Sequence, residues 1–271
     1  MSLHRDALRD PARHHACLRA AAAAGLAPRV IHTDDATAIA ITAFVPARPL
    51  STAPRAALLE QLAALIHRLQ TTPSFPQLVD YVDGVSQLLA PLRAEGILPE
   101  LDLFARFAAL CAAYPRAEAP VSAHNDLNPG NLIWDGARLW IVDWEAAFAS
   151  DRFVDPAHAC NYFAASPDER TRLLTTVLGA PPTARDLARL WMMQQVAHMF
   201  FAAMTTQVVR AQRPTLRLGD LVGPPLAEVR REMGTLMRSP EGQLRCAIAT
   251  FGELDTQLRS PRFAEAIAQF R

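Results

Sequence analysis

Two short apolar runs joined by a turn interrupt an otherwise helical pattern, and they constrain the fold more than any other feature of the sequence. The runs are Leu132–Trp134 and Leu139–Val142, and Asp135–Gly136 between them is a strong signal for a β-hairpin. Folding the chain at that turn brings Asn131, before the first run, beside Asp143, after the second. Opposed residues of an antiparallel pair lie about 5 Å apart. The sequence therefore predicts that an amide oxygen and a carboxylate converge at the open end of the hairpin.

The polar residues around this hairpin have the chemistry of a metal and phosphate site. Amide and carboxylate oxygens placed together, with room for phosphate oxygens and water, are suited to Mg²⁺. Asp126 lies five residues before Asn131, in a loop that Pro129 and Gly130 turn, so it can direct a second carboxylate into the same space. A carboxylate base beside a metal-bound phosphate is what phosphoryl transfer to a hydroxyl requires.

The rest of the chain is mainly helical by pattern. Helical spacing of Leu and Ala predicts helices at about residues 6–24, 54–70, 78–93, 100–114, 167–178, 184–210, 225–238, 241–258 and 262–270. Two β-like runs, Arg29–His32 and Thr37–Phe44, follow the first helix, and Val45–Leu50 contains two prolines and has the composition of a linker. This order predicts a small mixed domain at residues 1–47 and a large helical domain at residues 48–271.

Composition argues against several classes of partner. The chain has 27 basic and 27 acidic residues, so bulk charge gives no reason to expect nucleic acid or an anionic membrane. Its four cysteines are scattered without a C-x-x-C pair, which suits a reducing compartment. No apolar leader is recognisable, and the most apolar stretch, Trp191–Met204, is too short to span a bilayer. These features predict a cytoplasmic protein with neither a nucleic-acid nor a membrane partner.

The hairpin and the loop before it resemble a known family. His124-x-Asp126-x-x-x-x-Asn131, followed by Asp143, matches the catalytic-loop and metal-loop signatures of the protein-kinase-like superfamily. Asn125, the Asn-Pro-Gly-Asn ending of the loop and Asp-Trp-Glu in the metal loop resemble the aminoglycoside phosphotransferase/choline kinase family. The resemblance implies an α+β, protein-kinase-like fold: a clipped small N-lobe of one helix and two strands, and a large, mainly helical C-lobe that carries the catalytic hairpin.

The resemblance also implies roles for individual residues. Asp126 would be the catalytic base, with His124 behind it as an orienting catalytic-loop residue, and Asn131 and Asp143 would hold Mg²⁺. Asp155 would brace the catalytic loop by hydrogen bonds. Glu145 either faces the acceptor or caps the loop. The residues expected to bind ATP are Phe44, Val45, Asn131, Ile133 and Asp143.

Part of the usual kinase apparatus is missing from the sequence. A kinase small lobe has a Gly-rich loop over the phosphates and a strand Lys that pairs with a helix Glu. Before residue 50 the one glycine is Gly25, and the chain contains no Lys; where the Glu is expected, the sequence has His14 and His15. Two explanations stay open, a start codon assigned too late and a genuine truncation. An upstream extension would not restore the Glu.

Two functions are compatible with this sequence. The first is an ATP-dependent small-molecule kinase, whose hydroxyl acceptor would be an amino alcohol such as choline or ethanolamine, or an aminoglycoside-like compound. Trp144 and nearby aromatic residues favour the amino alcohol, because its ammonium group could make cation–π contacts. The second is a catalytically impaired pseudokinase that binds a ligand without turnover.

Overall fold

The computed structural model describes residues 9–116 and 119–270, which form two compact units. The first unit contains residues 9–80, 116 and 119–183, and the second contains residues 81–115 and 184–270. The boundary predicted between residues 47 and 48 falls inside the first unit and stays a prediction. Residues 6–8 of the first predicted helix, and Arg271, lie outside the described residues.

Helices dominate the described residues. They are α1 Pro11–Ala23, α2 Arg55–Gln70, α3 Tyr81–Ala94, α4 Asp102–Ala113, α5 Val154–Phe163, α6 Pro167–Leu178, α7 Ala184–Gln212, α8 Leu226–Leu236, α9 Pro240–Arg259 and α10 Pro261–Ala268. The strands are short: β1 Val30–Asp34, β2 Ile39–Thr42, β3 Val121–Ala123, β4 Leu132–Trp134, β5 Leu139–Ile141 and β6 Phe148–Ser150. None of the described helices is long and apolar enough to cross a membrane.

The strands of the first unit form three antiparallel pairs, β1 with β2, β3 with β6 and β4 with β5. The predicted hairpin is confirmed, with Leu132 opposite Ile141 and Trp134 opposite Leu139. Its turn is set by Asp135, whose Oδ1 accepts hydrogen bonds from the main-chain nitrogens of residues 137 and 138, both at 2.8 Å. Gly136 has a φ of 104°, a conformation that glycine adopts without steric cost. The hairpin therefore closes over four residues.

Three elements near the site were not predicted. Eight of the ten residues of α5 are buried, so the helix lacks the polar face that makes an amphipathic helix recognisable in a sequence. The strands β3 and β6 have three residues each and pair from Val121↔Ser150 to Ala123↔Phe148. Such short runs give too little alternation to identify a strand.

The second unit is entirely helical in its described part. The long helix α7 packs against α3, α9 and α10, and α8 packs against α9. Leu226 and Val229 of α8 join Cys246 and Ala249 of α9 in one buried apolar cluster. The ends of all six helices lie within three residues of their predicted positions, as expected for long segments with clear helical spacing.

Candidate active site

The loop between β3 and β4 ends in a short 3₁₀ turn at residues 129–131 that leads directly into β4. Asn128 precedes this turn, and its Oδ1 accepts a hydrogen bond from the main-chain nitrogen of Gly130 at 2.8 Å. Pro129 occupies the first position of the turn, where no amide hydrogen is needed. The turn thus fixes Asn131 at the start of β4.

The carboxylate of Asp126 is held by two amide groups. Nδ2 of Asn128 donates to Oδ1 at 3.0 Å, and Nδ2 of Asn131 donates to Oδ2 at 3.2 Å. Burial raises the pKa of Asp126 to about 6; the two amide hydrogen bonds oppose this rise, and the charges of Asp143 and Glu145 add to it. The group is therefore ionised at neutral pH, yet basic enough to accept a proton from a reacting hydroxyl.

Asp155, at the start of α5, braces the catalytic loop through hydrogen bonds to its main chain. Its side chain is 1% exposed, and its two oxygens accept hydrogen bonds from the main-chain nitrogens of His124 at 2.8 Å and Asn125 at 2.9 Å. Burial raises the pKa of Asp155 to about 6, although the two hydrogen bonds oppose that rise. The bracing that the resemblance implied for this residue is present.

His124 joins the catalytic loop to the metal loop. Its Nε2 lies 3.0 Å from the carbonyl oxygen of Val142; a carbonyl can only accept, so Nε2 carries the hydrogen. Complete burial lowers the pKa of His124 to about 4, and the ring is therefore neutral at physiological pH. It packs edge-on against Trp144, with the ring centroids 4.9 Å apart. This geometry supports an orienting role.

Asn131 and Asp143 flank the open end of the hairpin. The main-chain nitrogen of Val142 donates to the carbonyl oxygen of Asn131 at 3.0 Å, so the pairing continues one residue beyond the strands and Asp143 follows at once. Asp143 has a left-handed conformation, with φ 64° and ψ 69°, and its side chain is exposed. The approach of the Asn131 and Asp143 side-chain oxygens to within about 5 Å stays a prediction.

The donor set fits Mg²⁺. Asn131 turns its Nδ2 toward Asp126, and among the described residues nothing donates to its Oδ1 or to the Asp143 carboxylate. No cluster of three or more His, Cys, Asp or Glu side chains that could hold a metal occurs in the described part of the chain. One carboxylate and one amide oxygen would leave positions for phosphate and water oxygens, which Mg²⁺ retains in phosphate-binding sites.

The other predicted nucleotide-binding residues, Phe44, Val45 and Ile133, lie in the first unit and differ in their exposure to solvent. Phe44 is 88% exposed. Phe44 and Val45 follow Ala43, whose nitrogen donates to the carbonyl of Arg29 at 2.8 Å. Neither makes a main-chain hydrogen bond to another described residue. Ile133 is partly buried in β4. Contact of these three residues with a nucleotide stays a prediction.

Trp144 is buried and does not present an aromatic surface to an ammonium group. It is 4% exposed, packs against Phe75 as well as His124, and donates its Nε1 hydrogen to the carbonyl of Ile141 at 3.1 Å. Its ring is part of the core. Glu145, the next residue, has an exposed side chain.

Two residues that carry the family resemblance, Asn125 and Asn128, had no role assigned from the sequence. Asn128 holds the Asp126 carboxylate and the turn together. Asn125 adopts a φ of 65°, which a short polar side chain tolerates better than most. The available signal was the pair of Asn residues at 125 and 128 on either side of Asp126, since Asn and Asp form local hydrogen bonds to nearby backbone.

The position expected for a helix Glu holds a histidine with a different partner. Nδ1 of His15 lies 2.6 Å from Oδ1 of Asp35, in the turn between β1 and β2. His15 is 5% exposed, so this contact ties α1 to the hairpin that follows it. The residue at the expected Glu position is therefore bound to Asp35.

A family model described as "Phosphotransferase enzyme family" matches residues 2–205. No curated protein matches the sequence. Many solved structures share the fold, at low sequence identity.

Three of these structures illustrate the likeness. A choline/ethanolamine kinase family protein from Mesorhizobium loti is 17% identical, with a TM-score of 0.71 over 96% of this chain and 83% of that chain. Choline kinase LicA from Streptococcus pneumoniae is 14% identical, with a TM-score of 0.59 over 91% and 82%. A spectinomycin phosphotransferase in complex with ADP and spectinomycin is 12% identical, with a TM-score of 0.51 over 88% and 82%. The predicted protein-kinase-like α+β fold is confirmed.

Proposed function

The chain belongs to the phosphotransferase enzyme family, and we propose that it transfers the γ-phosphoryl group of ATP to a hydroxyl of a small molecule. The observation that carries this proposal is the position of Asp126. Its carboxylate is oriented by Asn128 and Asn131, and Asn131 is also one of the two residues with a free hard-oxygen ligand for Mg²⁺. One amide side chain therefore connects the proton acceptor to the metal position.

The reaction follows from that arrangement. The acceptor hydroxyl donates its proton to a carboxylate oxygen of Asp126 while its own oxygen forms a bond to the γ-phosphorus, and the bond from phosphorus to the ADP oxygen breaks. Asn128 and Asn131 keep the carboxylate aimed at the acceptor. When Mg²⁺ is bound by Asn131 and Asp143, it supplies positive charge that neutralises the phosphate oxygens.

The nucleotide would lie along the segment after β2. Adenine needs one main-chain donor and one acceptor, and Phe44 and Val45 have both unengaged by other described residues. The phosphate end is different, because the chain has no Lys to hold it. An Arg does not replace a buried Lys point charge, so the phosphates would depend mainly on the metal.

The acceptor is proposed to be an amino alcohol such as choline or ethanolamine, with an aminoglycoside-like compound as the other option. Glu145 supports a cationic acceptor, because its exposed carboxylate lies two residues from Asp143. Names of similar structures include both choline kinase and spectinomycin phosphotransferase. The four cysteines are buried and form no disulfide with one another, which supports a reducing, cytoplasmic setting.

A second function is supported by the missing Lys. A protein with the metal loop and catalytic loop intact, but without a strong phosphate anchor, could bind a nucleotide or metabolite without transferring phosphate. The two proposals differ in one measurable property, the formation of a phosphorylated product.

The test combines Mg-ATP with choline, ethanolamine or an aminoglycoside and follows the phosphorylated product by phosphorus NMR. Asp126→Asn keeps the size of the side chain but removes the base, so we expect kcat to fall about 10²–10⁴-fold with little change in melting temperature. Asp135→Asn is the matched control, since it alters a carboxylate at the other end of the hairpin. Product formed equally by wild type and Asp126→Asn would refute the assigned base. Nucleotide binding without product from any acceptor would favour the binding module.

A further inference from the structure

Helix α1 carries a buried arginine, Arg13, whose guanidinium group contacts the segment that follows Asp143. Arg13 is 5% exposed. One terminal nitrogen of its guanidinium donates to the carbonyl oxygen of Glu145 at 2.7 Å, and the other donates to the carbonyl oxygen of Ala147. One helical turn later, Sγ of Cys17 lies 3.5 Å from the same Ala147 oxygen. α1 thus packs directly against residues 144–146.

The catalytic loop holds the same segment from its other side. Nδ2 of Asn125 donates to the carbonyl oxygens of Ala146 at 3.0 Å and Phe148 at 3.2 Å. Four consecutive carbonyl groups, at residues 145–148, are therefore bound alternately by Arg13 and by Asn125. These carbonyls run from a 3₁₀ turn at Trp144–Ala146 into β6, so the whole connection between the two is held by the side chains of Arg13 and Asn125.

We infer that Arg13 is a positioning residue for the metal ligand Asp143, a role that rests on the proposed function. Asp143 has a left-handed backbone, and no described residue donates to its carboxylate. The direction of that carboxylate is therefore set by the backbone on either side of it. On the preceding side, the main chain of Val142 is bound by the His124 ring and by the carbonyl of Asn131. On the following side, the main chain is bound by Arg13.

The guanidinium group is suited to this task. Its planar fork presents two donors at a fixed spacing, whereas the ammonium of Lys is a single point donor on a flexible stem. Burial lowers the pKa of Arg13, while the carboxylates of Asp10 and Glu145 oppose that effect. A cation is costly to bury unless its hydrogen bonds are made, so removing it releases the metal-loop carbonyls and leaves a cavity beside them.

The test measures metal binding directly. Mn²⁺ binding in the presence of ADP is titrated by electron paramagnetic resonance for wild type, Arg13→Ala, Arg13→Lys and Gln61→Ala. The control, Gln61, joins the opposite end of the hairpin through Ala137 O at 3.2 Å and Leu139 N at 3.0 Å. Residues that orient metal ligands typically change affinity by about 10–100-fold when replaced.

We expect Arg13→Ala to weaken Mn²⁺ binding by about 10–100-fold, and Gln61→Ala to change it by less than about twofold. In turnover, Arg13→Ala should raise the Mg²⁺ concentration needed for half-maximal rate, with a kcat near wild type once Mg²⁺ is saturating. Arg13→Lys keeps the buried charge without the planar fork, so its Mn²⁺ affinity should fall by about 3–10-fold. This variant replaces Arg13→Ala in the test if the alanine variant does not fold.

Three results would overturn the assignment. Wild-type Mn²⁺ affinity in Arg13→Ala, or in Arg13→Lys where the alanine variant does not fold, would show that the metal loop does not need this tether. Equal weakening by Gln61→Ala would show a general effect of loosening the hairpin. If the wild type itself does not bind Mn²⁺ with ADP, the proposed function is refuted together with the role of Arg13. This result differs from the first two, in which the wild type binds Mn²⁺ and only the role of Arg13 is refuted.

Discussion

Replacing Asp155 with Ala tests whether a buried carboxylate holds the catalytic loop in place. The two main-chain donors that it satisfies belong to His124 and Asn125, which are 0% and 2% exposed. After the substitution neither donor can reach water without opening the loop. An unsatisfied buried donor costs about 1–3 kcal/mol, so the pair would cost about 2–6 kcal/mol if nothing else changed.

Removing the carboxylate also removes an unfavourable buried charge. Since burial raises the pKa of Asp155 from 3.8 to about 6, the group is ionised at neutral pH, and its charge is less stable in the folded protein than in the unfolded chain. This relief offsets part of the loss, and we expect a net decrease of about 1–3 kcal/mol in the free energy of unfolding at neutral pH.

The same pKa gives the pH dependence a definite sign. A raised pKa in the folded state means that the folded protein binds the proton more tightly, so the stabilisation is complete below pH 3.8 and is lost as pH rises through about 6. Wild type gains this stability on acidification and the Ala variant does not. The stability gap between them should widen by about 1 kcal/mol between about pH 7.5 and about pH 5.

Asp135→Ala is the matched control for Asp155→Ala. Asp135 also accepts two main-chain hydrogen bonds, at 2.8 Å each, but in an exposed turn where the freed donors can bind water. Hydrogen bonds, including the one from Trp140, lower the pKa of Asp135, so its contribution does not change between about pH 7.5 and about pH 5. Its net loss should be about 0.5–1.5 kcal/mol.

Urea unfolding followed by tryptophan fluorescence measures all of these quantities, because the midpoint and slope give the free energy of unfolding at each pH. Ionisation of groups that do not interact with Asp155 cancels in the difference between wild type and variant. The reasoning is refuted if Asp155→Ala is no more destabilising than Asp135→Ala at about pH 5, or if the stability gap of Asp155→Ala stays constant with pH.

Three further predictions concern the nucleotide, the buried histidine and the metal. Because the chain has no Lys, calorimetry should give a millimolar rather than a micromolar Kd for Mg-ATP, a difference of about 4 kcal/mol; a micromolar value would show that another element holds the phosphates. Burial lowers the pKa of His158 to about 3, so stability should fall as pH drops below about 6.5, with His158 contributing about 2 kcal/mol by about pH 5. In His158→Gln that part of the acid sensitivity should be absent, and an unchanged pH profile of unfolding would contradict it. A crystal structure with Mg²⁺ and a nucleotide should place the side-chain oxygens of Asn131 and Asp143 within about 5 Å and facing Asp126; opposite orientations would exclude a shared ion.

The hairpin and its polar ends could be predicted because every residue involved lies within one short stretch. The two apolar runs and the Asp135–Gly136 turn between them fix the register locally, and the register then places Asn131 and Asp143 at the open end of the hairpin. The long helices could be predicted for the same reason, since their spacing is a local property. Local pattern failed at α5, whose polar residues are buried together with its apolar ones. No sequence period identifies a helix that is covered on all sides.

The contacts that hold the site in place could not be predicted in the same way. Asp155 reaches donors 30 and 31 residues away, and Arg13 reaches carbonyls 132 and 134 residues away. Their partners are main-chain groups, which every residue possesses, so nothing in the sequence of the partner marks the contact. Family resemblance supplied Asp155 because the residue type itself recurs in the motif. It could not supply Arg13, because the family motif has a Glu and no Arg on that helix.

The absence of Lys and the presence of Arg13 bear on one question, how a kinase-like site keeps its metal loop ordered. A Lys–Glu pair would join a strand, a helix and the phosphates by charge. In this chain the helix contacts the metal loop through a guanidinium bound to main-chain carbonyls, and it needs no phosphate to do so. That bond can position Asp143 before any nucleotide arrives, but it adds no attraction for the phosphates. The site is therefore expected to be preorganised for the metal and weak for ATP, and these are separate properties that metal titration and nucleotide titration measure independently.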